Sequence, residues 1–333
     1  MKYFYPKLHT LHKPSIDLSD GLPGYKHLEV SSRVDGILKG LLSAYKAEVV
    51  YIEEFSDREV RTIHDEDYVD FLLEISKELE SQEEYIPPLF RSDLSSAPLY
   101  FRGGMYCSEI GTPIGVESVK AGLNSSCTAL NATEYMLQTG ENSFVLTRPP
   151  GHHAGRRRYG GYCFFNNAYL AAQRFVDAGK KVTVLDIDYH IGDGSLEFAT
   201  SEMPYYSLHS NTHRNYPYLE ADFTNENENV TLVEFETGIS GERYIEYVKE
   251  LLSNAIDDSV DTVILSLGFD TLGTDYCQDE YIYVMPKDFR VIGELFGALR
   301  QNCMILLEGG YDAENLELCA FEFMSGFMKS SQD

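Results

Sequence analysis

The chain has 333 residues, and its 43% hydrophobic and 24% charged content are those of an ordinary soluble globular protein long enough for one large core. Its formal net charge is −26, from 53 acidic against 27 basic residues, which opposes nucleic acid and anionic membranes and favours cationic partners, although an acidic surface also simply keeps a protein soluble. No apolar run reaches membrane-spanning length, the N-terminus lacks a secretory apolar core, and six cysteines without a C-x-x-C pair fit reduced thiols, so a cytoplasmic protein is expected.

Residues 1–30 carry Pro6, Pro14, Pro23 and Gly24 and read as a short strand followed by loop. Ser31–Ser32 can cap a helix through about Tyr45, with Val34, Ile37, Leu38 and Leu41 on one face. Glu48–Ile52 reads as a strand, and His64–Asp65 opens an amphipathic helix with Tyr68, Phe71, Leu72 and Ile75 at helical spacing. Residues 81–113 break the pattern. Four prolines, the Gly103–Gly104 pair and exposed-looking Tyr85, Phe90, Tyr100, Phe101 and Tyr106 make a long irregular segment, the kind that serves as a lid or partner surface.

From Ser118 the chain alternates. Helices are expected over about Ser118–Gln138, Asn166–Ala178, Gly241–Ile256, Lys287–Arg300 and Glu314–Met328. Strands are expected at Ser143–Thr147, Val182–Ile187, Tyr205–Leu208, Val230–Phe235, Val260–Leu267 and Met304–Leu307. Alternation of this kind means an α/β fold, a mostly parallel central sheet flanked by helices on both faces. No Pro/Ser/Gly-rich linker divides it, so residues 1–333 are expected to form one domain.

The run V-T-V-L-D-I-D-Y-H-I-G-D-G-S (182–195) places Asp186, Asp188, His190 and Asp193 at the carboxyl end of a buried strand, where open parallel sheets bind ligands. If strand geometry persists past Asp188, then Asp186, Asp188 and His190 project together. Carboxylate and imidazole without thiolate suit a zinc-like ion at an open catalytic position, but the pattern alone is equally a strand end capped by acidic turn residues.

Three further strands end in reactive residues. R-P-P-G-H-H-A-G (148–155) offers two adjacent histidines whose side chains diverge, which fits an acid–base pair beside a metal better than two satisfied core residues. G-F-D-T (268–271) places Asp270 at a strand terminus, and E-G-G-Y (308–311) aims the Tyr311 phenol past two glycines. Asp188, His190 and Asp270 then make three protein ligands, leaving positions for water and a substrate carbonyl. His152 and His153 move the water proton, with Asp186 and Asp193 as orienting carboxylates, and Tyr311 donates to the developing oxyanion. That describes hydrolysis of an amide.

Together with G-Y-C-F-F-N-N-A (161–168), S-L-H-S (207–210), L-S-L-G-F-D-T (265–271), K-H-L-E-V-S-S-R (26–33) and I-H-D-E-D-Y-V-D-F-L (63–72), these motifs resemble the zinc-dependent histone deacetylase superfamily. The spacing around G-T-P-I-G (111–115) and the aromatic insert before it look most like bacterial acetylpolyamine amidohydrolases, in which the insert helps build a dimer that narrows the entrance. The resemblance implies a three-layer arginase/deacetylase-like fold and one zinc ion per chain on the same three ligands, with iron(II) or cobalt(II) as alternatives. It makes His153 the proton shuttle and His152 its electrostatic partner. It also implies a structural potassium ion near Asp186, Asp188, His190, Ser207 and Leu208. Tyr162 and Tyr216, with Gly161 and Gly309, match substrate-tunnel positions, and Arg33 matches an arginine of an internal channel.

Two departures stand out. Ile191 replaces the second histidine the family commonly has after its metal aspartate, which touches local packing only. The run Arg156–Arg157–Arg158 is unexpected near the mouth for a cationic substrate, and reads as a solvated loop. The expected activity is deacetylation of a small cationic acetylated amine, most like an acetylpolyamine, by a homodimer joined through 81–113. The alternatives are a protein acetyl-lysine deacetylase and a catalytically idle scaffold, the latter opposed by the complete set of ligands, histidines and tyrosine.

Overall fold

Eight short runs, most of them aliphatic and β-branched, pair into one sheet: β1 (Lys2–Pro6), β2 (Val49–Ile52), β3 (Ser143–Val145), β4 (Val182–Asp186), β5 (Tyr205–His209), β6 (Val230–Glu234), β7 (Thr262–Leu267) and β8 (Asn302–Leu307). The computed structural model describes residues 1–331 apart from 20, 22–23, 82 and 221–224, so Pro23 of the opening loop lies outside the described residues. The strand order is β6-β5-β4-β7-β8-β3-β1-β2, and every pairing is parallel.

Strands buried on both faces read as continuous apolar runs, and the pleat then divides their side chains between two cores. Val263, Leu265 and Leu267 of β7 join Cys303, Ile305 and Leu307 of β8 on one face, with helices Ser32–Ala44, Gly241–Ala255, Pro286–Gly297 and Leu316–Ser330. Ile264, Met304 and Leu306 point the other way, against helices Glu66–Glu78, Ser118–Thr139 and Asn167–Asp177. The result is a three-layer α/β/α sandwich. Its four central strands β4, β7, β8 and β3 are neighbours in space although three helix-containing stretches separate them in sequence. All four carboxyl ends open on one side of the sheet, because all four strands are parallel.

The 81–113 stretch is less irregular than expected. Glu84–Tyr85 pairs antiparallel with Ile114–Gly115, and Leu99–Arg102 forms a helical turn. Tyr85 and Tyr106, expected outside, are 2% and 3% exposed. Both pack against Phe71 of the 66–78 helix, with ring centroids 6.1 and 5.0 Å away. Phe90, Tyr100 and Phe101 remain exposed. Among the described residues no helix is long and apolar enough to cross a membrane.

Candidate active site

β4 ends at Asp186, short of the extended geometry that the D-x-D-x-H spacing implied. Beyond it the chain turns on its own carboxylates. Asp186 Oδ1 accepts from the Asp188 N–H at 3.1 Å, and Asp188 Oδ1 accepts from the His190 N–H at 2.9 Å, local bonds that displace the ladder. Asp186 and Asp188 both face the His152 ring, Asp186 Oδ2 at 3.0 Å from Nδ1 and Asp188 Oδ1 at 3.8 Å from Nε2. Asp188 and His190 meet Asp270 from the end of β7, with ligand atoms all within 4.8 Å of one another.

His190 Nδ1 lies 3.4 Å from Asp188 Oδ1 and 3.4 Å from Asp270 Oδ2. Asp270 Oδ2 is buried and has no hydrogen-bond partner among the described residues. Burial, then the charge of Asp188, pushes the Asp270 carboxyl above its ordinary range. Two crowded carboxylates, one imidazole and an orphaned oxygen fit a divalent metal ion, which would occupy that oxygen and offset the repulsion.

Beside this group the two histidine rings stand 4.0 Å apart, each with its own carboxylate. His152 Nδ1 lies 3.0 Å from Asp186 Oδ2, and His153 Nδ1 lies 2.6 Å from Asp193 Oδ1. Burial alone would lower the His152 imidazole, but Asp188, Asp186 and Glu308 hold it well above its ordinary value. Burial and then the neighbouring His152 push His153 down to about 4, against the pull of Asp193. The two rings are thus shifted in opposite directions by their surroundings.

A pocket with about 110 Å³ of internal space leads to these groups. His153, His190, Tyr311, Gly161, Tyr162 and Tyr216 line it, and Glu109 and Asp279 stand in its wall. Tyr162 and Tyr311 meet edge to face with centroids 5.6 Å apart, and Tyr216 stands 4.8 Å from the His153 ring. Gly161 adopts φ +53°, and a Cβ there would come within 2.3 Å of His153 Cδ2, so only glycine lets the wall approach that ring.

Gly309 does not line this pocket, contrary to expectation. Its N–H donates to Asp188 Oδ2 at 2.8 Å, beneath the carboxylates. Ser207 is the register partner of Asp186 across β4 and β5, and Leu208 is buried in β5, both away from the pocket. Arg33 is fully buried, with its guanidinium 4.4 Å from the Tyr311 ring centroid and donating to the Glu308 carbonyl at 2.8 Å.

The profile of the histone deacetylase domain matches residues 27–327. The chain belongs to that family. It is a deacetylase, a hydrolase of acyl–amine bonds, and is most like the bacterial acetylpolyamine amidohydrolases. It is 30% identical to acetylpolyamine amidohydrolase 1 of Pseudomonas aeruginosa, over 97% of both chains. A crystal structure of the acetylpolyamine aminohydrolase from Burkholderia pseudomallei superposes with a TM-score of 0.89 at 27% identity, covering 99% of this chain and 98% of that one. Histone deacetylase 8 of Arabidopsis thaliana is 28% identical over 74% of this chain and 68% of its own.

Several residues of the deacetylase site escaped the sequence reading. Glu308 is fully buried and accepts from the Gly151 and His152 N–H groups and from Ser266 Oγ, so it holds the histidine loop from below. The one signal was a glutamate ending an apolar strand. Asn166 Nδ2 donates to the Ala154 carbonyl and Ser195 Oγ, at 3.1 Å each, while its Oδ1 caps the following helix through Tyr169 N–H. Tyr205 OH donates to Asp186 Oδ2 at 2.7 Å, from two residues before the S-L-H-S motif.

The arginine run is solvent-exposed at Arg156 and Arg157, as a solvated loop requires, and only Arg158 is partly buried. Arg156 lies over the Phe198 ring with its N–H on Glu197 Oε2, Arg157 pairs with Asp67, and Arg158 reaches Asp193 and Glu197. Arg157 and Arg158 are paired with carboxylates, the Arg156 Nε donates to the Glu197 backbone carbonyl at 3.2 Å, and none of the three lines the pocket.

Proposed function

We propose that this deacetylase removes acetyl groups from small cationic amines, acetylpolyamines above all, and that it does so with a divalent ion, the histidine pair and Tyr311. The observation that carries the substrate class is the pocket wall. Among the described lining residues Glu109 and Asp279 are carboxylates and none is lysine or arginine, so a polyamine's ammonium groups meet attraction along a route walled by aromatic rings.

Asp188, His190 and Asp270 would hold the ion, zinc first and iron(II) or cobalt(II) as alternatives. When bound it supplies a Lewis acid that polarises the acetyl carbonyl and makes water acidic. His153, neutral and with Nδ1 committed to Asp193, receives a water proton at Nε2 and later passes one to the departing amine. His152, paired with Asp186 and surrounded by carboxylates that favour its protonated form, stabilises the negative charge that builds up. Tyr311, kept a phenol by burial, donates to the oxyanion.

The same reading takes Asp186, Asp188, His190, Ser207 and Leu208 as the structural potassium site. It takes residues 1–333 as one cytoplasmic deacetylase domain, and the 81–113 insert as the element that joins two copies and narrows the entrance through exposed Phe90, Tyr100 and Phe101.

The decisive experiment compares turnover of acetylputrescine, acetylspermidine and an acetyl-lysine peptide on purified enzyme. The polyamines are expected to have the higher kcat/KM. Faster turnover of the peptide would move the protein to the lysine-deacetylase reading, and no turnover of any of them would leave the scaffold.

A further inference from the structure

Arg158 is set apart from its two neighbours by where it points. Its Nη1 reaches Asp193 Oδ2 and its Nη2 donates to Glu197 Oε1 at 3.0 Å. Asp193 Oδ1 is already committed to His153 Nδ1 at 2.6 Å. Both oxygens of one carboxylate, 4% exposed, are therefore taken, one by the histidine and one by the arginine.

The backbone delivers Arg158 to this place. Gly155 N–H donates to the Arg158 carbonyl at 3.0 Å, closing a tight loop that folds the arginine back over the histidines. His64 Nδ1 holds the Gly155 carbonyl at 2.8 Å, and Tyr159 N–H donates to the Tyr106 carbonyl at 2.7 Å, so the loop is pinned on both sides. Glu197 sits in the 3-10 turn Ser195–Phe198, and its second oxygen takes the Arg156 N–H at 2.8 Å. The planar guanidinium thus spans two anchored carboxylates, a geometry that a single ammonium cannot reproduce.

We propose that Arg158 is a positioning residue for the His153–Asp193 pair: by taking the second oxygen of Asp193 it sets the plane of that carboxylate, and with it the ring of His153 whose Nε2 is left to the pocket. Burial works to raise the Asp193 carboxyl, yet the Arg158 guanidinium, and then His153, bring it down to about 2, so the acceptor of the histidine stays ionised. Without the arginine the carboxylate is free to rotate about its Cβ–Cγ bond and the ring follows it. A displacement of about 1 Å at a proton carrier costs on the order of 10²-fold in rate while leaving substrate binding nearly untouched. The proposal rests on the reading of His153 as the proton carrier.

The test is steady-state kinetics of metal-replete Arg158→Ala and Arg158→Lys on acetylputrescine, with Arg156→Ala as the control, alongside the Nδ1–H proton resonance of His153 in histidine-labelled protein. Arg158→Ala is expected to lose kcat about 10–100-fold at a KM within about twofold of the parent. Added guanidinium ion should restore part of that loss, and Arg158→Lys should fall between the two. The downfield His153 resonance should shift or broaden in Arg158→Ala and stay in Arg156→Ala, which touches Glu197 but not Asp193. If the parent enzyme hydrolyses no acetylated amine, the amidohydrolase reading fails while the resonance still tests the clamp. An unmoved resonance, a kcat within twofold of the parent, or equal losses in Arg156→Ala and Arg158→Ala would overturn the positioning role. Should alanine unfold the loop, the lysine variant carries the same comparison at smaller amplitude.

Discussion

Gly309 N–H donates to Asp188 Oδ2 at 2.8 Å, so the end of β8 clamps a carboxylate presented by β4 across the intervening β7. A Cβ on Gly309 would stand 2.0 Å from Asp270 Oδ2 and 2.7 Å from Asp188 Oδ2. Gly309→Ala must therefore push the two carboxylates apart. Affinity for a divalent ion should fall about 10–100-fold with the sheet intact, read by metal titration beside far-UV circular dichroism. Unchanged affinity would mean that the two carboxylates do not share an ion.

The metal itself is testable by subtraction. Asp188→Ala and Asp270→Ala should bind no stoichiometric divalent metal by elemental analysis and should lose activity while remaining folded. Chelation of the parent should abolish turnover and added zinc should restore it. Active protein without any divalent metal would sink the mechanism.

Tyr311→Phe removes only a hydroxyl from a ring held over Arg33 and against Tyr162. The expected loss is about 10²–10³ in kcat with little change in KM, because the donor acts on charge that develops in the transition state. Equal loss in kcat and substrate affinity would make the phenol a binding group instead.

His64 predicts an acid-labile fold. It is 3% exposed, accepts the Asn166 N–H at Nε2, and is held by burial down to about 4 from an ordinary 6.5. The unfolded chain therefore takes up a proton that the folded chain refuses, and stability present above pH 6.5 is lost as pH falls toward 4. The full contribution is about 3 kcal/mol. His9 and His209, likewise lowered by burial, add in the same direction. Urea unfolding at pH 7, 5.5 and 4.5 should show the fall, and His64→Gln should flatten part of it.

Neutralising the pocket wall should separate polyamines from uncharged substrates. Asp279→Asn is expected to raise KM for acetylspermidine several-fold and to leave a neutral N-alkyl acetamide unaffected. Glu109 is kept, because it accepts from the Gly161 N–H that holds the wall beside His153. In the parent, kcat/KM for the polyamine should fall as salt shortens the Debye length from about 10 Å at 0.1 M to about 3 Å at 1 M. A flat salt profile would show that charge does not guide this substrate.

Much of the molecule was legible in the chain. The apolar runs from Ser143 to Leu307 and the helices between them led to a parallel sheet, and reactive residues cluster after β3, β4, β7 and β8. Local sequence carries this information because periodicity and strand-end chemistry are short-range properties. Asp188, His190 and Asp270 could be named together for the same reason, as could the two histidines.

What lay beyond the sequence depends on distant segments meeting. The strand stops at Asp186, and Asp186 and Asp188 each bind a backbone N–H two residues on, a choice the alternating pattern does not reveal. Gly309 moves from the pocket to the floor of the site because β8 lies two strands from β4. Tyr85 and Tyr106 are buried because the insert folds back on Phe71. Glu308 and Arg158 gain their roles only where the histidine loop crosses β8 and the 193–197 turn. A charged side chain looks the same in sequence whether water or a buried partner satisfies it, and only the tertiary structure supplies the partner.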